Sequence, residues 1–406
     1  MSRVAILHYT APPVIGGVES TMGDHARLLS AAGYKVRLVA GRGQSPDNGI
    51  EYSRVALADS RQPRVTIAQA DLAAGRVTER FRALAADLQR ELHTALTGCD
   101  VVLAHNVATL HKNLALTAAL HDICAEKGIS LVAWCHDFAW TDPLYRPAMH
   151  DGWPWDLLRR PWPRVRYVAV SHARRAELAG LLSVPPGDIR VVPPGISLRV
   201  FLGLNPVAVE WMDSLSLWDA RPLLLIPVRV TRRKNIELAV RVTGALAAMG
   251  LSPRLLVMGP PGPHNANNAA YLDELKELCR TAAPADAVVF LHEHGRVSNA
   301  VRRDLYLLAD LLLFTSFREG FGIPVLEAAA TRLPAFCADI PPFRESGGDL
   351  LHYFGLGESP EAIAARIAAF LQTDNALRLR HRVMDGYRWP RILESQIIPL
   401  LEESAP

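Results

Sequence analysis

The feature that most restricts the fold is a recurrence of short apolar runs, each followed by a longer stretch with helical periodicity. Val4-Ala5-Ile6-Leu7 reads as a buried strand, residues 18–32 as a helix stopped by Gly33, and residues 35–40 as the next strand. Strand, helix, strand at this spacing is a βαβ unit, which commits the chain to a parallel sheet with right-handed crossovers. The pattern continues with strands at 100–104, 130–135, 167–171 and 189–192, and helices over 110–127 and 172–182. After a connection at about 197–220 a second series begins. Strands are expected at 223–228, 254–258, 287–291, 310–314 and 333–337, with a helix over 235–249 and further helices from Pro360 onward. A chain of 406 residues accommodates two such α/β domains.

Composition narrows the function classes. Half the residues are hydrophobic and 21% are charged, which is globular rather than disordered. With 44 basic against 41 acidic residues the net charge is +3, which gives no reason to expect nucleic acid as a partner. The 5 cysteines are scattered and none has metal-ligand spacing, so reduced thiols in a cytoplasmic protein are expected. The first residues are too short an apolar run for a signal peptide, and no apolar run reaches the roughly 18 residues of a membrane span. A soluble protein is expected.

The most informative stretch is Arg318-Glu319-Gly320-Phe321-Gly322-Ile323-Pro324-Val325-Leu326-Glu327. It joins the carboxyl end of a buried strand to a helix, with Pro324 suited to the first helical turn. Such a junction offers free backbone N–H groups and the positive end of a helix dipole to an anion. Glu319 and Glu327 bracket it. Carboxylates repel phosphate, so they are expected to face hydroxyl groups while the amides face the anion. The implied ligand is polyhydroxylated with a phosphate in the middle, as a nucleotide-sugar is. Gly16 and Gly17 form a second glycine loop at the end of the first strand, where doubly wound sheets place ligands. It is not GxGxxG, and no GxxxxGK[ST] occurs, so NAD and ATP readings lose support. His136 follows another strand end directly, with Asp137 after it; His105 stands in the equivalent place one strand earlier and carries less weight. Arg229 and Lys234 flank a strand–helix junction whose charge opposes the helix dipole unless an anion binds.

The glutamate pair resembles the signature of the family-4 retaining glycosyltransferases (glycosyl transferase group 1) of the GT-B fold, and the resemblance extends over nearly the whole chain. It implies an α/β protein of two Rossmann-like domains whose parallel sheets face each other across a cleft. The expected division is 1–200 on the acceptor side, 201–385 for the donor, and a helix at 386–406 crossing back to the first domain. The resemblance implies that Glu319 contacts the donor sugar and Glu327 the ribose. It implies further that Gly16 and Gly17 face the donor phosphates, Arg229 and Lys234 hold the pyrophosphate, and His136 sits beside the sugar. Gly259, Arg296, Gly320, Phe321, Gly322 and Ile323 complete the expected donor site, the segment 292–298 forming the wall against the base. His292 and His294 with Glu293 suggest a metal cluster at first sight, but on an extended segment Glu293 points the other way.

The expected reaction moves a hexose from a UDP- or GDP-linked donor to a hydroxyl acceptor. No Asp-x-Asp motif is placed to hold a metal, so no metal and no other cofactor is expected, and the leaving diphosphate falls to Arg229, Lys234 and the loop amides. Alternatives are a GT-B nucleotide-sugar epimerase or hydrolase and a non-catalytic sugar-nucleotide-binding protein. The segment 151–164, with three tryptophans among arginines and prolines, fits an acceptor-binding or membrane-surface patch, and also fits a loop pinned to its domain by aromatics. The second is preferred. The expected partners are the nucleotide-sugar and a hydroxyl acceptor, with peripheral membrane contact allowed for.

Overall fold

A computed structural model describes residues 2–127, 129–263 and 267–403. The chain divides into two compact units, Met1–Ile196 with Tyr387–Pro406, and Ser197–Gly386. The chain therefore changes unit at 196/197 and 386/387, beside the expected 200/201 and 385/386.

In unit 1 seven strands form one parallel sheet: β1 Arg3–Leu7, β2 Lys35–Ala40, β3 Glu51–Arg54, β4 Val101–His105, β5 Ser130–Cys135, β6 Val165–Ala169 and β7 Ile189–Val191. Their order is β3-β2-β1-β4-β5-β6-β7. Both faces are covered. Ala5, Leu7, Val102 and Ala104 pack with Phe81, Leu84, Leu88 and Leu116 of the helices Glu79–Leu96 and Leu114–Lys127. Val4, Ile6, Val101 and Leu103 pack with Met22, Ala26 and Leu29 of the helix Gly17–Ala31, and with Trp389 and Ile392 of the returning C-terminal segment. Burial on both sides is why these strands read as unbroken apolar runs.

Unit 2 repeats the plan with β8 Leu223–Ile226, β9 Arg254–Val257, β10 Val288–Phe290, β11 Leu311–Phe314, β12 Ala335–Ala338 and β13 His352–Phe354. The order is β10-β9-β8-β11-β12-β13, again parallel throughout. Each sheet thus has one place where successive connections leave in opposite directions, β1/β4 in unit 1 and β8/β11 in unit 2. Ligands of open α/β sheets bind at the carboxyl ends of the strands at such a switch point.

Several expectations are corrected. The edge strands β3 and β13 carry polar residues and no apolar run, so hydrophobicity did not announce them. The connection at 197–220 contains the helices Leu198–Phe201 and Pro206–Ser214. The helix expected over 235–249 is Ile236–Ala248, preceded by a 3-10 turn Arg232–Lys234 and by Asn235 in the left-handed region at φ 50°. The segment at 292–294 is not extended: Leu291–Glu293 is a 3-10 turn, and Glu293 pairs with Lys276 at 2.5 Å. The tryptophan-rich segment, by contrast, follows the preferred reading of a pinned loop at two of its three tryptophans, Trp153 being 43% exposed. Trp155 and Trp162 are buried, and Trp162 Nε1 donates to the Leu157 carbonyl at 2.8 Å. The Arg159 guanidinium lies 4.0 Å from the centre of the buried Trp140 ring.

Candidate active site

At the β8/β11 switch point of unit 2, Thr315 Oγ1 donates to the Asn235 carbonyl at 2.8 Å, and Phe317 N donates to the Arg233 carbonyl at 2.9 Å. These bonds fasten the 3-10 turn after β8 to the loop after β11. They bring two residues 85 positions apart into contact: Lys234 Nζ donates to Glu319 Oε1. Ser316 Oγ donates to the same oxygen at 2.7 Å. The pair is largely withdrawn from water, with side chains 10% and 9% exposed. Burial pulls the Lys234 ammonium below its ordinary range, and the bond to Glu319 opposes that shift.

Two cavities of about 610 and 640 Å³ open beside this pair. Lys234, Glu319 and Pro324 line the first; Gly259, His292, Arg296 and Arg302 line the second; Arg229 lines both. Arg229 and Arg296 are exposed and have no carboxylate partner among the described residues. Glu327 lies by the second cavity through its ion pair with Arg302 at 3.2 Å, and Tyr306 Oη donates to its other oxygen at 2.7 Å. Gly320, Phe321, Gly322 and Ile323 line neither of these cavities; Phe321 and Ile323 present exposed side chains. Gly322 turns the loop into the helix Ile323–Ala330 at φ 95°, where a Cβ would also stand 2.9 Å from the Phe343 ring.

At the β1/β4 switch point of unit 1 the groups are different. His105 Nδ1 and His136 Nε2 are 3.1 Å apart, and His8 Nδ1 lies 2.8 Å from the His105 carbonyl. Asn106, in the left-handed region at φ 60°, accepts from His136 N at 2.8 Å and from Asp137 N at 3.2 Å through one amide oxygen. Its amide nitrogen donates to Asp137 at 3.2 Å, so Asp137 is turned to Asn106 rather than to the His136 ring. Burial holds His136 down to about 4 and His25 to about 3, and pushes His105 well below its ordinary range. These imidazoles are neutral at pH 7.

The glycine loop departs from expectation in one respect. Glu19 accepts from Thr10 Oγ1 at 2.5 Å, and its carboxylate lies so close over Gly16 that a Cβ there would be 2.1 Å from Oε2. A phosphate beside Gly16 would meet that carboxylate, whereas Gly17 is open. Sequence reasoning missed His8, His25 and Asn106 in the cluster of unit 1, and Tyr306 and Arg302 in that of unit 2. The only local signal was that His8 and Asn106, like His136, follow strand cores.

Two Rossmann-like α/β units, each gathering polar groups at its switch point, are the constituents of the GT-B class. The chain matches the family described as Glycosyltransferase Family 4 over residues 15–200 and that described as Glycosyl transferases group 1 over residues 210–385. It belongs to this family of glycosyltransferases. The D-inositol 3-phosphate glycosyltransferase of Actinosynnema mirum is 33% identical over 177 residues, 43% of this chain and 41% of that one. The mannosylglucosylglycerate synthase of Thermotoga maritima is 23% identical over 391 residues, covering 88% of this chain and 85% of its own length. A solved glycosyltransferase from Rickettsia africae ESF-5 aligns over 99% of this chain and 98% of its own, with 14% identity and a TM-score of 0.41. The chain spans less than two thirds of the length of the first relatives it matches.

Proposed function

We propose that the protein transfers a hexose from a UDP- or GDP-linked donor to a hydroxyl acceptor, with retention at the anomeric carbon and without a metal ion, in the cytoplasm. The observation that carries this reading is the Lys234–Glu319 pair and Arg229, which has no carboxylate partner among the described residues and lines both cavities. A diphosphate at Arg229 and Lys234 puts its nucleoside in the second cavity and its sugar in the first. Glu327 then receives ribose hydroxyls on lone pairs that Arg302 and Tyr306 leave open, and Glu319 receives sugar hydroxyls. As the glycosidic bond breaks, negative charge grows on the diphosphate, and the two cations stabilise it without reorganising. With retention, the acceptor enters on the face the diphosphate leaves from, and a phosphate oxygen takes its proton. At the switch point of unit 1, His136 offers a neutral imidazole suited to a hydroxyl group. Among the described residues no helix is long and apolar enough to cross a membrane.

A thermal-shift screen against UDP, GDP, ADP and their glucose and mannose conjugates, with and without EDTA, tests this reading. Binding to the native state raises the melting temperature through linkage. A rise with one nucleotide, unchanged by EDTA, identifies the donor. No rise with any of them ends the proposal.

A further inference from the structure

The proton shared by two histidines of unit 1 has an owner that the surroundings identify. His105 Nδ1 and His136 Nε2 are 3.1 Å apart, so one ring donates and the other accepts. His105 is fully buried, and its other nitrogen, Nε2, has no hydrogen-bond partner among the described residues. What faces that ring is the stacked Trp134, at 5.6 Å between centroids, and His25 at 5.4 Å, whose own nitrogens are also unpartnered. A neutral imidazole carries one proton. On Nε2 it would be a buried N–H that makes no hydrogen bond to any described residue, the neighbouring His25 included. On Nδ1 it is used in the bond, and Nε2 keeps only an unfilled lone pair. Orphaned buried N–H groups are rarer than underused acceptors, and an unmade buried donor bears the full cost of desolvation.

We propose that His105 is a positioning residue: protonated at Nδ1, it donates to His136 Nε2 and holds His136 in its Nδ1–H form. His136 Nδ1 then carries the N–H that a ligand can use. The ring has no free nitrogen left to take a proton. Asn106 completes the device by fixing the backbone on which the ring is mounted, through its bonds to His136 N and Asp137 N. His136 is thereby a hydrogen-bond donor to an oxygen of its ligand and not a general base. This deepens the proposed function, and rests on it only for what the ligand is.

The test is ¹⁵N NMR of the full chain labelled at histidine, with His136 assigned by the signal lost in His136→Gln. It needs no substrate, so it fails independently of the transferase reading. The expected result is a pyrrole-type Nδ1 and a pyridine-type Nε2 for His136, and conversion of most His136 to the Nε2–H form in His105→Phe. A wild-type His136 protonated at Nε2, or one unmoved by His105→Phe, overturns the proposal. If the phenylalanine variant does not fold, the wild type alone decides. The one-bond ¹⁵N–¹H coupling of the shared proton must then belong to His105 Nδ1, and its assignment to His136 overturns the inference equally.

Discussion

At the switch point of unit 1, the ends of β1, β4 and β5 gather His8, His105 and His136, with Glu19 over the glycine loop. At that of unit 2, the ends of β8 and β11 gather Lys234 and Glu319, with Arg229, which has no carboxylate partner among the described residues, lining the same cavity. The topology is repeated and the chemistry is not. Burial acts on both sets, but an imidazole, whose ordinary value is 6.5, gives up its proton when desolvated, whereas an ammonium joined to a carboxylate keeps its own. The same fold therefore gathers neutral imidazoles at one strand-end crevice and an ammonium–carboxylate pair at the other.

Acid should separate the two most strongly. The imidazoles of His25, His105 and His136 have folded-state values below 6.5, so the unfolded chain binds protons that the folded chain refuses. Their contribution to stability is fully present above pH 6.5 and is lost as pH falls toward their folded values, about 4 for His136 and about 3 for His25. Each removes up to about 1.4 kcal/mol per pH unit across that window. Calorimetry at about pH 7.5 and about pH 5 should show the transition of unit 1 falling faster than that of unit 2. His25→Phe should flatten the slope. Equal slopes for the two units would break the comparison.

Replacing Lys234 by Ala should lower turnover by roughly 10²–10³, about 3 kcal/mol, measured as release of nucleoside diphosphate. Near-normal turnover would remove the cation from its proposed role. Gly322→Ala should cost about 2 kcal/mol in urea unfolding, because it strains the backbone and crowds Phe343. Smaller still, Glu327→Gln should weaken nucleotide binding about tenfold by titration calorimetry, the scale of one hydrogen bond to a charged group. An unchanged affinity would detach the second cavity from the ribose.

The fold was largely legible because buried parallel strands are apolar on both faces, so 4–7, 130–135 and 223–226 announce themselves. What escaped lacked that signature: β3, with Glu51 and Arg54 at its ends, and β13, with His352, are edge strands. The site was legible only where local chemistry marks it. Glu319 and Gly322 sit in one loop with an unusual residue order. The Lys234–Glu319 contact, by contrast, spans 85 positions and is made by the bonds that Thr315 Oγ1 and Phe317 N donate to the Asn235 and Arg233 carbonyls. His25 reads in sequence as an ordinary helical residue, and only the approach of Trp134 and Trp389 gives it its environment. Glu19 was visible, but its fold-back over Gly16 was not.

The return of Tyr387–Pro406 to unit 1 has a consequence for how this protein can be remade. Ile196 N donates to the Tyr387 carbonyl at 2.7 Å, and Gly195 packs so tightly on Trp389 that a Cβ would stand 2.5 Å from its ring. The exit and the re-entry of the chain are thus stitched together on one side. Everything between them is a cassette whose two ends leave from adjacent points. Insertions between adjacent ends add little closure entropy to their host, since that cost grows only with the logarithm of loop length. Cut at 196 and 387, the cassette is a natural unit of exchange, and a different one grafted between the same two residues inherits an anchor already tied.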